Sequence, residues 1–209
     1  MKINNNNFSE LESFAPNILD ETYWNARWQN AETGWDIGYA APAITKFVDG
    51  IKDKNIAILI PGCGNAYEAA YLIEQGFTHI TLIDFAPKAV EHLQEKFGDN
   101  ASIKIINGDF FEHEGSYDLI LEQTFFCAIL PNRRIDYAQK MQELLKVNGS
   151  LVGVLFDRDF GNPTPPFGGN KAEYLAIFEP YFTIEKMQTC YNSIPPRAGT
   201  ELFINFIKK

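Results

Sequence analysis

Ile56-Ala57-Ile58-Leu59-Ile60-Pro61-Gly62-Cys63-Gly64 is an apolar, strand-forming run that stops at two closely spaced glycines, immediately ahead of a helix-patterned segment. Strand, glycine turn and helix in that order predict a nucleotide-binding junction, because glycine lets the backbone approach a ligand closely. A second apolar run, Ile80-Thr81-Leu82-Ile83, ends in Asp84, where a carboxylate is placed to accept hydrogen bonds from ribose hydroxyls. Such a glycine turn with a downstream acid serves both dinucleotide enzymes and methyltransferases. Gly62-x-Gly64 lacks the third glycine of the dinucleotide fingerprint, and Tyr67 stands in its place, which disfavours a pyrophosphate ligand.

Working outward, strand-like runs at about 56–60, 79–84, 102–106, 117–122 and 149–156 alternate with helix-patterned segments, the signature of a parallel sheet covered on both faces. The first crossover helix carries Ala66, Ala69, Ala70 and Ile73 as its apolar stripe, with Gly76 just past its end. A second helix fits 86–97. A third fits 132–146, with Ile135, Ala138 and Leu145 toward the sheet and Gly149 as its stop. Beyond it the pattern predicts helix 171–179, strand 181–190, a turn-rich stretch 193–199 and a last strand 201–207, which together imply a closing hairpin. The expected fold is a doubly wound, Rossmann-like α/β sheet of seven strands, mostly parallel, with a C-terminal antiparallel hairpin.

The 209 residues, 45% of them apolar, suit one domain, residues 1–209, with 1–50 as an N-terminal helical cover and 51–209 as the Rossmann-like core. The Asn-rich start reads as frayed. Residues 160–169, with three prolines and three glycines, read as an irregular substrate loop. No apolar run is long enough to span a bilayer and residues 1–7 lack a signal peptide's apolar core, so the expected setting is cytoplasmic. A net charge of −9 with scattered basic residues argues against nucleic acid as partner and for a small-molecule substrate. Cys63, Cys127 and Cys190 show no metal-ligand spacing, so no metal is expected. Oligomeric state is not encoded in any pattern.

A third strand leads into Asn107-Gly108-Asp109-Phe110-Phe111, where an acid could accept from an adenine amino group while an aromatic ring stacks on the base; the competing reading is a plain polar turn. Three tryptophans fall within twelve residues, Trp24, Trp28 and Trp35. Ordinary packing is one explanation. The functional one is a cover whose indole faces sit near a sulfonium, where cation–π attraction and exclusion of water both help.

At these residues the chain resembles the S-adenosylmethionine-dependent methyltransferases of the thiopurine methyltransferase superfamily, most closely the plant thiol and halide methyltransferases. The resemblance covers about residues 22–207. It rests on Trp24-Asn-Ala-Arg-Trp28, Gly34-Trp35-Asp36-Ile37-Gly38, Pro61-Gly62-Cys63-Gly64, Gly108-Asp109-Phe110-Phe111, Phe125-Phe126-Cys127-Ala128-Ile129 and Ser193-Ile194-Pro195-Pro196-Arg197. Ile60 and Pro61 occupy the approach to the first glycine, where most methyltransferases of this fold have an acid, as the superfamily's pattern has it.

The resemblance implies a class I methyltransferase fold, S-adenosylmethionine as cofactor and S-adenosylhomocysteine as product. It places Trp24, Trp28 and Trp35 on the cofactor side, Gly62 at the methionine portion, Asp84 at the ribose, and Asp109 with Phe110 at the adenine. Gln123 also belongs to this side, where the plant enzymes typically have Tyr. Gln has neither an aromatic face nor a titratable hydroxyl, but it can hydrogen-bond. The implied reaction moves a methyl group to a small soft nucleophile: sulfide, thiocyanate, a small thiol or a halide. Alternatives are a thiopurine or aromatic thiol acceptor, or a protein that binds the cofactor without catalysis.

No catalytic residue is marked. Glu122, at a strand end, is a candidate to hold the cofactor's ammonium or orient a water, the alternative being a solvated strand end. Gln123 and Arg197 are further weak candidates, Arg197 either gating the pocket or capping the hairpin. Phe125, Phe126, Phe160, Phe167 and Tyr191 are candidate walls for the acceptor. None of His79, His92 and His113 is nominated as base.

Overall fold

A computed structural model of the chain describes residues 19–209; the Asn-rich start lies outside the described residues. Seven strands form one sheet: β1 (Ile58–Pro61), β2 (Ile80–Asp84), β3 (Ile103–Asn107), β4 (Tyr117–Gln123), β5 (Leu145–Phe156), β6 (Phe182–Thr189) and β7 (Glu201–Lys208). Their order is β3-β2-β1-β4-β5-β7-β6. The first five are parallel, and β7 runs antiparallel to both β5 and β6. All seven expected strands and the closing hairpin are present.

β1 alternates its side chains between two cores, as pleating requires. Leu59 joins a cluster with Ile120 and with the helices α5 (Arg134–Leu144) and α6 (Lys171–Phe178). Ile58 and Ile60 join the opposite cluster with α2 (Pro42–Val48), α3 (Tyr67–Glu74) and α4 (Pro87–Phe97). Helices thus cover both faces. The remaining α-helix among the described residues, α1 (Glu21–Gln29), buries no residue fully and lies outside both clusters. Among the described residues no helix is long and apolar enough to cross a membrane.

Two details of the third predicted helix differ from expectation. Ile135 is 55% exposed, and the buried stripe is Tyr137, Ala138, Met141 and Leu144. Tyr137 has a polar tip that a hydropathy pattern discounts, yet here its hydroxyl has a buried partner, so the whole ring packs inside. The helix also stops at Leu144, not at Gly149, because the chain enters β5 directly; the left-handed residue in that stretch is Asn148, φ 61°.

The sheet order reverses between β1 and β4: β1 is followed by β2 on one side, while β4 returns on its other side. Ligands of open α/β sheets bind in the crevice at such a switch point, beyond the carboxyl ends of the strands. The glycine turn follows β1, and the 124–128 segment follows β4, so these two face each other across that crevice.

Candidate cofactor and acceptor site

Every second residue of the turn after β1 is left-handed: Gly62 (φ 54°), Gly64 (φ 50°) and Ala66 (φ 47°). Only glycine adopts this readily. A side chain at Gly62 would also collide with the ring of Phe125, 2.2 Å from the position of its Cβ, and one at Gly64 would meet Trp28 at 3.2 Å. Sequence alone marks the glycines for closeness to a ligand; the structure adds that the two sides of the crevice are themselves in contact through them.

Asp84, at the end of β2, is buried and accepts from the backbone N–H of Gly64 (3.1 Å) and of Ala86 (3.0 Å). A carboxylate has roughly four lone-pair sites, so capacity remains for hydroxyl donors. Burial raises its pKa. Asp109 is exposed and accepts from the Phe111 N–H at 2.8 Å.

The cover is built from α1 and the loop after it. Trp24 and Trp28, one helical turn apart, share a face of α1. Both meet Trp35 edge to face, with centroids 5.5 and 6.1 Å away. Asn25 Oδ1 accepts from the Lys88 N–H (2.8 Å) and so caps α4, which lacks a capping side chain of its own. Asp36 clasps the loop onto the glycine turn: its carboxylate accepts from the Asn65 amide, from the Tyr67 hydroxyl (3.1 Å) and from the Gly38 N–H (2.7 Å). Glu68, buried in α3, accepts from the Ala41 N–H (2.9 Å), and burial raises its pKa. Asp36, Asn65, Tyr67 and Glu68 were missed as site residues. The available signal was Asp36 inside the Gly-Trp-Asp motif.

A cleft lies under this cover, bounded by Trp35, Asp36, Gly62, Tyr67, Gln123 and Thr124. A smaller recess adjoins it, walled by Pro42, Val154, Asn192, Arg197 and Glu201; Gln123 and Ile37 line both. Arg197 Nη2 donates to the Trp35 carbonyl (2.9 Å), and Nη1 pairs with buried Glu201 at 3.4 Å, so Arg197 ties the cover to the closing hairpin.

Several expected site residues sit elsewhere. Glu122 is fully buried and turned away from the crevice. Its Oε1 accepts from the N–H groups of Phe125 (2.8 Å) and Phe126 (2.9 Å), and its Oε2 from the Tyr137 hydroxyl. It neither faces solvent nor reaches an ammonium. Phe110 is 4% exposed, wedged among Phe111, Phe125 and Tyr137, which removes its adenine-stacking assignment. Phe126 is a core residue packed on Tyr137, Tyr174 and Phe178, not a pocket wall. Tyr191 is 80% exposed and walls nothing. Phe160 packs on Phe156 (4.9 Å) and Phe167 N–H donates to the Cys127 carbonyl (2.7 Å); neither lines the cleft or recess, although their irregular loop is as expected. Of the five candidate walls only Phe125 meets the glycine turn.

Cofactor fit can be judged from the chain itself. The turn after β1 is left-handed at its glycines, the acid closes β2, Asp36 and Glu68 put negative charge at the cleft, and Trp35, with half-buried Trp24 and Trp28 packed on it, borders the cleft. These suit a ligand with a ribose and a cationic sulfonium. Fold and site together define an S-adenosylmethionine-dependent methyltransferase.

The chain belongs to the thiopurine S-methyltransferase family, whose model matches residues 19–202. It is similar to probable thiol methyltransferase 2 of Arabidopsis thaliana, 32% identical over 85% of this chain and 81% of the relative. Thiocyanate methyltransferase 1 of Brassica oleracea is 29% identical over 92% of this chain and 87% of its own length. Among solved structures, 1,6-didemethyltoxoflavin-N1-methyltransferase of Burkholderia thailandensis, with bound S-adenosylhomocysteine, superposes with a TM-score of 0.70 over 100% of this chain and 92% of that one, at 15% identity. That likeness is one of fold.

Proposed function

We propose that this chain, as a single domain, methylates a small soft nucleophile: sulfide, thiocyanate, a small thiol or a halide. The carrying observation is the absence, among the described residues, of an imidazole at the crevice. His113 is buried against Tyr117, its Nε2 2.8 Å from the hydroxyl, and His92 packs on Trp28, with ring centroids 5.9 Å apart. His79 precedes β2 at the opposite end of the sheet. The carboxylates that line the cleft, Asp36 and Glu68, already hold the cover in place. Alcohols need a strong base; thiols reach their nucleophilic form near neutral pH without one.

When bound, S-adenosylmethionine supplies a methyl group made electrophilic by its sulfonium. Gly62 and Gly64 would admit its methionine portion, Asp84 would accept from its ribose hydroxyls, and Trp24, Trp28 and Trp35 would exclude water around the sulfur. The chain's own contribution is positioning: a cover clasped by Asp36 and Arg197 holds the acceptor close and dry. The net charge of −9 supports a small-molecule acceptor over nucleic acid.

The test follows S-adenosylhomocysteine release with sulfide, thiocyanate, iodide, ethanethiol and a thiopurine as acceptors. Turnover with one or more of the first four is expected. Turnover with the thiopurine alone, or S-adenosylhomocysteine binding without any turnover, overturns the reading. Asp84→Ala is expected to weaken S-adenosylhomocysteine binding by about 1–3 kcal/mol, as for hydroxyls left without a buried partner; calorimetry giving wild-type affinity would remove the ribose assignment. Asp36→Ala, which frees the cover from the glycine turn, is expected to weaken the same binding by about 1–2 kcal/mol while leaving the urea midpoint close to wild type.

A further inference from the structure

Glu68 is the second residue of α3, the helix that follows the glycine turn, and its carboxylate is held in a residue only 7% exposed. Its Oε1 accepts from the Ala41 N–H (2.9 Å), the one hydrogen bond between its side chain and another described residue. Among the described residues no ammonium or guanidinium pairs with it. Lys96, the cation near enough to act on it, donates to the Asn65 carbonyl (3.1 Å) and lies over the Tyr67 ring. Burying a carboxylate is costly unless cations or hydrogen-bond donors compensate, and here a single N–H does so. Burial accordingly raises its pKa. Yet Glu68 lines the cleft, and its Oε2, unlike the sealed and unpaired Oε1 of Gln123, is not closed off from it.

We infer that Glu68 Oε2 holds the α-ammonium of S-adenosylmethionine, fixing the cofactor's amino-acid tail and with it the direction in which the methyl group points. The inference rests on the methyltransferase reading above and deepens it. Three observations carry it. First, the cleft lies at the tail end of the crevice: Gly62, assigned to the methionine portion, borders it, whereas Asp84 and Asp109, assigned to ribose and adenine, do not. Second, Glu68 is the carboxylate on that cleft with a whole oxygen unengaged. Asp36, the other acid there, already takes the Asn65 amide and the Tyr67 hydroxyl on one oxygen and the Gly38 N–H on the other. Third, an ammonium is a compact cation with three donors and no acceptor, so it supplies both the charge and the hydrogen bond that this buried carboxylate lacks. Because Oε1 of the same group holds Ala41, the N-cap of α2, cofactor tail and cover meet on one side chain.

The test compares S-adenosylhomocysteine with its deamino analogue, in which hydrogen replaces the ammonium, by calorimetry at pH 7 in wild type and Glu68→Gln. Glutamine keeps a carbonyl for the Ala41 N–H and removes the charge. In wild type the analogue is expected to bind roughly ten- to hundredfold more weakly, the size of one hydrogen bond between charged groups. In Glu68→Gln, S-adenosylhomocysteine is expected to lose a similar factor, and the gap between the two ligands to shrink to about threefold or less. The urea midpoint should stay close to wild type, since the Ala41 bond is kept.

Equal affinity of wild type for the two ligands overturns the inference, and that comparison does not depend on the folding of any variant. So does a gap that persists in the glutamine variant: with both affinities unchanged the ammonium is held by another group, and with both reduced alike Glu68 only seats the cover through Ala41. Failure of the wild-type protein to bind S-adenosylhomocysteine is a separate result, and it removes the underlying reading together with this one.

Discussion

Replacing Glu122 by alanine is expected to destabilise the protein by about 3–5 kcal/mol. Three donors share this carboxylate, the part-buried N–H of Phe125 and the buried N–H of Phe126 and hydroxyl of Tyr137. Each orphaned buried group costs about 1–3 kcal/mol, and relief of the carboxylate's own burial trims the sum. The loss is not only one of stability. By gripping the two N–H groups after it, Glu122 holds the chain reversal in which Thr124 takes φ 59°, a conformation that a β-branched residue adopts only when its surroundings impose it. Thr124 lines the cleft and Phe125 meets Gly62. Urea unfolding and S-adenosylhomocysteine titration of Glu122→Ala should therefore both report damage, and a wild-type urea midpoint would refute the role.

Glu122→Gln separates charge from shape. Burial pushes the carboxyl from 4.5 up to about 7. The folded state therefore holds the proton more tightly than the unfolded state across that window, and stability falls as pH rises through it. At about 1.4 kcal/mol per unit the wild-type protein loses about 3 kcal/mol from this group between pH 4.5 and 7. Glutamine keeps an acceptor for the two N–H groups and does not titrate. The difference in unfolding free energy between the two proteins should shift in the variant's favour by about that amount from pH 5 to pH 8; a pH-independent difference would place the carboxyl pKa near its ordinary value.

The second large effect is expected at the glycine turn. Gly62→Ala places a Cβ 2.2 Å from Cδ2 of Phe125 on a backbone with φ 54°. The left-handed conformation costs an L-residue about 1–2 kcal/mol, and forcing a methyl into a packed site about 1–3 more. A destabilisation of about 2–5 kcal/mol is expected, with S-adenosylhomocysteine affinity reduced at least about tenfold because Phe125 must leave the crevice wall. Adding Phe125→Ala should recover the steric part and leave the conformational part. A double variant no better than the single one would show that the clash is not what matters.

How legible was this in the sequence? The strands and most helices were, because parallel strands buried on both faces read as continuous apolar runs and glycine turns interrupt them cleanly. Ile58, Leu59 and Ile60 show this, each at 2% exposure or less. The phase of the 134–144 helix was not: its buried face turns on Tyr137, whose ring is apolar and whose hydroxyl needs a partner 15 positions away. The geometry of the candidate site was legible where backbone shape or a strand end sets it, as at Gly62, Gly64 and Asp84. It was illegible where identical residue types serve opposite purposes. Phe125 and Phe126 are adjacent, yet the first borders the crevice and the second fills the core; Glu122 and Gln123 are adjacent, yet the first is wholly satisfied and the second holds an orphan. Alternation along a strand that ends in a tight reversal decides each pair, and only the reversal at Thr124, invisible in composition, sets which member points where. The Asp36 clasp was missed because its partners, Asn65 and Tyr67, lie about thirty positions away.

Arg197 reaches back 162 positions to the carbonyl of Trp35, and the Asn192 amide reaches 150 positions to that of Pro42. The cover is thus synthesised some 150 positions before the hairpin that latches it. A nascent chain released before residue 190 would possess the sheet's parallel half and the Asp36 clasp, but not the Arg197 and Asn192 ties of the cover. The hairpin ties are made only after every glycine and acid of the nucleotide turn has been synthesised.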